Sequence, residues 1–208
     1  MNTATTARFI CFAALLLRTP FQAAAQNHFV DAEADGIKAF LRDNFHQTNA
    51  CMVIGLVDEH GSRIFNAGKL DNGTEVNGDT VFFIGSASKT FTTLLLEDMV
   101  QRGEMKLDDP VAKYLHKSVK TPARGGREIT LLDLATHTAG FPINPDNISG
   151  ANVRDQYETY TVEKMYAFLS GYTLSRDPGT DFEYSNVGMA LLGHAMVLQA
   201  GTNFEALI

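Results

Sequence analysis

Apolar positions along the chain change their period several times, and each change marks an element. Over residues 28–46, Phe29, Ile37, Phe40, Leu41 and Phe45 predict an amphipathic helix that Gly36 weakens. The runs 51–57 (Cys51-Met52-Val53-Ile54-Gly55-Leu56-Val57) and 62–68 (Ser62-Arg63-Ile64-Phe65-Asn66-Ala67-Gly68) flank Asp58-Glu59-His60-Gly61, a hairpin signal. Asp71-Asn72-Gly73 and Asn77-Gly78 read as turns. From Ser88 onward Phe91, Leu94, Leu95, Met99 and Val100 return at helical spacing and stop near Gly103, predicting a helix over about 88–102. Further helices are expected at about 109–115, 130–137, 162–170, 186–200 and from 203. The segment 117–127, rich in Lys, Arg and Gly, and 140–156, with Pro142, Pro145 and Gly150, read as loops. One helix, one hairpin and then a long helical run make an α+β layout. Two strands alone are marginal in water, because stability needs a third strand or helix packing.

The boundary of the 88–102 helix carries the first chemistry. Val81-Phe82-Phe83-Ile84 is broken by Gly85, and Ser86-Ala87-Ser88-Lys89 then places a hydroxyl and an amine at i and i+3, on one helical face. A serine alcohol needs an adjacent base to act as a nucleophile, and a desolvated lysine, its pKa lowered by burial, can be one. Exposed N–H groups at a helix start favour a developing oxyanion. Taken alone, Ser-x-x-Lys is better read as a capping serine followed by a solvated lysine.

A second element is Pro178-Gly179-Thr180-Asp181-Phe182-Glu183-Tyr184-Ser185-Asn186, a turn leading into the apolar run Val187–Leu198. A phenol beside an ammonium group can exchange a proton with a serine, and an asparagine can hold a substrate amide. A core-packed Tyr184 and an Asn186 that caps the next helix are the plainer alternative. The third element, Ile129-Thr130-Leu131-Leu132-Asp133-Leu134-Ala135-Thr136-His137-Thr138-Ala139-Gly140-Phe141-Pro142, reads as a short helix capped by Thr130 and stopped by Gly140 and Pro142. His137 and Asp133 suggest a Ser-His-Asp relay, but i and i+4 on one helix is an ordinary neighbour pair, so His137 reads as structural.

Together with Leu107-Asp108-Asp109-Pro110-Val111-Ala112-Lys113-Tyr114-Leu115, and with Ser86-Ala87-Ser88-Lys89 extended to Ile84-Gly85 and Thr90-Phe91-Thr92, these segments lie in one order over roughly residues 28–208. The chain resembles the serine β-lactamase and penicillin-binding-protein superfamily, in the branch of class C β-lactamases, D,D-peptidases and β-lactamase-like esterases, where Tyr-x-Asn stands in place of Ser-Asp-Asn. That resemblance implies a β-lactamase/transpeptidase-like α+β fold, with a helical region packed on a five-stranded antiparallel sheet. Only the N-terminal hairpin of that sheet is expected in this chain, leaving a strand edge and apolar sheet surface open to aggregation. It implies Ser86 as acylated nucleophile, Lys89 as its proton acceptor or electrostatic partner, Tyr184 as proton relay and Asn186 as substrate-binding residue. The three side chains of Ser86, Lys89 and Tyr184 would meet in one water-poor pocket, and the Ser86 N–H would supply half of an oxyanion hole. The substrate would be an amide, a β-lactam or an ester, as a small molecule or a peptidoglycan-like peptide.

The likeness stops before the family's downstream Lys-Thr-Gly or His-x-Gly motif. No lysine follows Lys164, and His194 is followed by Ala195-Met196. Residues 26–208 are therefore expected to be an incomplete domain. Three readings follow: a serine hydrolase working through a Ser86 acyl-enzyme, an inactive relic or non-catalytic peptide-binding module, and an unrelated helical protein with accidental matches.

Composition narrows the setting. Among 208 residues, 45% are hydrophobic and 20% charged, enough for one sizeable core. Residues 1–25 read as a secretory signal peptide: Arg8 precedes the apolar stretch Phe9–Leu17, and Ala23-Ala24-Ala25 offers a cleavage site. Arg18 interrupts the pattern, and an amphipathic or organellar leader is the alternative. The stretch is too short to span a bilayer, so the mature protein is expected to be secreted or periplasmic, without stable membrane insertion. Removing Arg8 and Arg18 would take the net charge from −7 to −9, against nucleic-acid binding. Cys51 alone would remain, with no partner for a disulfide, and reads as a buried inert thiol. The six histidines are scattered without ligand spacing, so neither a metal site nor a cofactor is expected.

Overall fold

Alternation of side chains along two short strands builds the first layer. The computed structural model describes residues 29–45, 50–59 and 61–208. The candidate leader 1–25 and His60 of the hairpin turn lie outside them. Contacts divide the chain into two units, one ending at Phe82 and one running Phe83–Ile208.

In the first unit, β1 (Met52–Asp58) pairs antiparallel with β2 (Gly61–Ala67), Ile54 opposite Phe65 and Met52 opposite Ala67. Met52, Ile54 and Leu56 share one face, as period two requires. The helix α1 (Phe29–Phe45) contributes Ala34, Ile37, Leu41 and Phe45, at helical spacing, to the same small cluster around Phe65. Phe40 is half exposed instead, one position off that stripe. Gly68 follows β2 at φ +86°, where a Cβ would stand 2.2 Å from the Ala50 carbonyl oxygen, so no other residue fits. Cys51 is only partly buried, a correction to the buried thiol expected from its apolar neighbours.

The second unit is helical. A single 3₁₀ turn, Gly85–Ala87, opens α2 (Ser88–Gln101), which turns Thr92, Leu95, Leu96 and Met99 inward. Next come β3 (Ala123–Arg124) and β4 (Arg127–Glu128), then α3 (Leu131–Ala135), α4 (Val153–Glu158) and α5 (Val162–Gly171). The unit ends with α6 (Asn186–Ala200) and α7 (Phe204–Leu207). The helix α6 is apolar on nearly every side and buries Val187, Met189, Leu191, Leu192, Ala195 and Met196, as a central helix should. Leu96, Met99, Leu131, Leu134, Phe141 and Leu169 close the core around it. Ser185 caps α6 through the Gly188 N–H, and Gly201 ends it in the left-handed region at φ 65°.

Three segments differ from expectation. Residues 109–115 form only a 3₁₀ turn, Val111–Tyr114, because Pro110 is extended and the Asp109 carboxylate is taken by the Lys106 N–H, Lys113 and Tyr114. The 117–127 loop contains the β3–β4 pairing, turned by Gly125 and Gly126 at φ 59° and 74°. The 140–156 loop ends inside α4, which Asn152 caps through the Asp155 N–H. No helix among the described residues is long and apolar enough to cross a membrane.

Candidate active site

Gly85, at φ +55°, lets the chain turn from Ile84 into the 3₁₀ start of α2, which sets Ser86 one turn before Lys89. The N-cap of α2 is Ala87, with no side-chain cap, so the Ser86 hydroxyl is not spent on the helix end. Lys89 Nζ donates to Ser86 Oγ at 3.2 Å. From the other end of the unit, 98 residues on, the Tyr184 hydroxyl donates to the same oxygen at 2.6 Å. The Lys89 ammonium stands 4.9 Å from the centre of the Tyr184 ring. Burial pushes the phenol up, but the Lys89 ammonium and the Ser86 hydroxyl outweigh it and leave Tyr184 below the ordinary 10. Ser86, Lys89 and Tyr184 thus meet, although Ser86 is exposed rather than sealed in a water-poor pocket.

Asn186 sits at the first turn of α6, where its backbone N–H bonds the Ile143 carbonyl at 2.8 Å. Ser185, not Asn186, caps that helix. The Asn186 amide donates to Asn144 Oδ1 at 3.0 Å and to the Tyr157 hydroxyl at 3.1 Å, and Tyr157 itself donates to Asn144 at 3.1 Å. Both N–H donors of Asn186 are thereby oriented, leaving its Oδ1 as the side-chain acceptor. Ser86, Lys89, Tyr157 and Asn186 line a cleft of about 690 Å³ whose apolar wall includes Phe83, Met189, Val197 and Phe204. His194 lines the same cleft, hydrogen-bonded to Tyr166 at 2.6 Å, and burial lowers its pKa.

Sequence reasoning missed Asn144, in the segment 140–156 read as a loop, and Tyr157, in α4, both of which reach Asn186. His137, read as structural, packs beside Tyr184. The helix α3 stops at Ala135, and His137 turns left-handed at φ 60°. Its ring lies 4.7 Å from that of Tyr184, and its Nδ1 accepts the Ser185 N–H at 3.2 Å. Asp133 is not its partner: that buried carboxylate closes a capping box with Thr130 and receives the Thr138 hydroxyl at 3.4 Å. A left-handed histidine after a short capped helix and before Gly140 is the signal that a spacing argument passes over. Among the described residues, no group of three or more His, Cys, Asp or Glu side chains is placed to hold a metal ion.

Solved structures share this fold. A β-lactamase/D-alanine carboxypeptidase from Yersinia pestis, complexed with citrate, superposes with a TM-score of 0.68 at 25% identity, over 83% of this chain and 51% of that one. A class C β-lactamase from Rhodobacter sphaeroides gives a TM-score of 0.61 at 29% identity, over 85% and 46% of the two chains. The fold is therefore of the β-lactamase/transpeptidase-like class. The sequence model of the Beta-lactamase family matches residues 41–208, and the chain belongs to that family of serine hydrolases. The D-alanyl-D-alanine-carboxypeptidase/endopeptidase AmpH of Escherichia coli (strain K12) is 31% identical over 181 residues, 86% of this chain and 45% of that protein. A β-lactamase of Pseudomonas fluorescens is 31% identical over 172 residues, 78% of this chain and 42% of that protein. The chain thus spans less than half the length of these two relatives.

Proposed function

We propose that the protein is a serine acyl-transferring hydrolase in which Ser86 is the nucleophile. The observation that carries this reading is the convergence of the Lys89 amine and the Tyr184 phenol on one serine oxygen, at 3.2 and 2.6 Å. As the phenolate, its own proton given up to solvent and its pKa held below the ordinary value beside Lys89, Tyr184 takes the Ser86 proton as Oγ bonds the substrate carbonyl carbon. The proton passes from Tyr184 to the departing amine or alkoxide as the scissile bond breaks, leaving an acyl-enzyme. Water then attacks the ester with Tyr184 again accepting a proton, and Ser86 recovers its own. Lys89 supplies the positive charge that favours the phenolate, and the Ser86 N–H supplies one oxyanion donor, an interaction worth about 3–4 kcal/mol in the transition state. Asn186 holds the substrate amide through its Oδ1. The relatives named as β-lactamase and as D-Ala-D-Ala carboxypeptidase support a β-lactam or a peptidoglycan-like peptide as substrate, with short esters sharing the same acylation chemistry.

Incubation of the 208-residue protein with a fluorescent penicillin or a phosphonate ester is expected to label Ser86, and Ser86→Ala to abolish the label. An unlabelled wild type would instead leave a non-catalytic peptide-binding module, with muropeptide binding and no label in either protein. The leader 1–25 supports a secreted or periplasmic site of action, and N-terminal sequencing of exported protein is expected to begin at Gln26.

A further inference from the structure

We infer that His137 is the positioning residue of the site: it grips the segment Phe182–Ser185 on both sides of Tyr184 and so fixes the phenol against Ser86. The inference rests on the reading of Tyr184 as the proton carrier, and its geometry stands apart from that reading. Among the described residues, His137 is the one non-glycine residue with positive φ, at 60°. That conformation is disfavoured for a residue with a Cβ and persists where its surroundings over-determine it. Here it aims two acceptors at a single neighbour. The His137 carbonyl receives the Glu183 N–H at 2.8 Å, and its Nδ1 receives the Ser185 N–H at 3.2 Å. These are the residues immediately before and after Tyr184. Between the two bonds, the imidazole lies 4.7 Å from the Tyr184 ring and meets Phe182 edge-on at 5.8 Å. The next residue continues the grip, the Thr138 carbonyl receiving the Gly179 N–H at 2.9 Å.

The second of these bonds depends on protonation. Nδ1 can accept only while the ring is neutral with its proton on Nε2. The charged and titratable groups around it favour that form. From α2, Lys89 presents a cation, and from the segment before α6, Tyr184 presents a phenol. The nearby carboxylates are engaged elsewhere, Asp133 by Thr130 and Thr138, and Glu183 by Arg176 at 2.6 Å. Burial, and then the Lys89 charge, keep His137 below the ordinary histidine value of 6.5. Protonation in acid would remove the acceptor and set a second cation beside Lys89, releasing Ser185 and with it the phenol.

Two variants separate positioning from bulk packing. His137→Asn keeps a side chain that tolerates the left-handed turn, and its Oδ1 can stand in for Nδ1. His137→Leu keeps size and removes the acceptor. The 208-residue protein is labelled with ¹³Cζ-tyrosine, Tyr184 is assigned through Tyr184→Phe, and its titration is followed alongside the pH dependence of phosphonate labelling at Ser86. The wild type and His137→Asn are expected to titrate Tyr184 below 10, with His137→Leu moving it upward as the phenol leaves Lys89. Labelling is expected to fall about a hundredfold in His137→Leu, the scale of an ångström misplacement, and to stay near wild type in His137→Asn at neutral pH. The wild-type rate takes an extra downward step below 6.5 that His137→Asn lacks. A folded His137→Leu with wild-type titration and rate overturns the inference, as does a His137→Asn that keeps the acid step. If the wild type takes no label, the reading of Ser86 as nucleophile falls, and the Tyr184 titration alone decides the role of His137.

Discussion

The unit that ends at Phe82 holds a cleft of about 1020 Å³ between α1 and β2, lined by Lys38, Arg42, Phe45, Phe65, Lys69 and Glu75 among others. The unit that begins at Phe83 holds the smaller cleft, about 690 Å³, that contains Ser86, Lys89 and Asn186. The larger concavity mixes apolar side chains with surface charges, and Lys69 and Glu75 pair with one another at 3.7 Å, both more than half exposed. Around Lys89 of the smaller one stand groups that alter each other: a phenol lowered by the ammonium, and a histidine lowered by burial and the same ammonium. Size gives room for a ligand, whereas mutual perturbation around a nucleophile gives chemistry.

The units differ as much in what supports them. Among the described residues of the first, the apolar cluster buries only Ala34, Leu41 and Phe65, of which Ala34 and Phe65 keep 9% and 8% of their surface exposed, and Val76 is buried outside that cluster. The second packs Leu131, Leu134, Leu191, Leu192 and Met196 with at most 0% of their surface exposed. Such a core is what holds a serine, a lysine and a phenol from distant parts of the chain at hydrogen-bonding distance. The largest effect expected in a stability assay follows. Leu192→Ala should cost about 2–5 kcal/mol in urea unfolding, because a fully enclosed site cannot collapse around the void. Phe65→Ala removes more atoms from a thinner layer that can close over the gap, and about 1–2 kcal/mol is expected. Equal losses would break the contrast between the two cores.

Much of the second unit was legible because its signals are local. The apolar period from Phe91 to Val100 gave α2 within a residue of Ser88–Gln101, and Thr130 was visible as a cap three residues before Asp133. Ser86 and Lys89 come from one turn of chain, so their approach follows from helix geometry alone. The α4 helix was hidden because Pro142, Pro145 and Gly150 dominate that stretch, although Asn152 with Asp155 three residues on was a readable cap. The β3–β4 turn at Gly125-Gly126 was a readable hairpin signal inside a charged run. What no spacing rule carries is the non-local part: Ser185 reaching His137 across 48 residues, Asn186 reaching Asn144 across 42, and Tyr184 reaching Ser86 across 98. These pairings are products of the core, and only packing makes them.

The smallest effect tests whether caps or core hold the helical unit. Thr130 Oγ1 accepts the Asp133 N–H at 3.2 Å, while Asp133 Oδ2 accepts the Thr130 N–H at 2.9 Å and the Thr130 hydroxyl at 2.8 Å. Thr130→Ala removes the two bonds that involve the hydroxyl and keeps the one from the backbone, so Asp133, 5% exposed, remains partnered. The loss is therefore that of a cap rather than of a buried carboxylate, about 1 kcal/mol in urea unfolding. Thr130→Ser restores the hydroxyl and should recover most of it. A loss as large as that of Leu192→Ala would mean that α3 is held by its cap and not by Leu131 and Leu134. Because α3 leads directly into the left-handed turn at His137, such a result would also shift the origin of the site's geometry from the core to this one helix end.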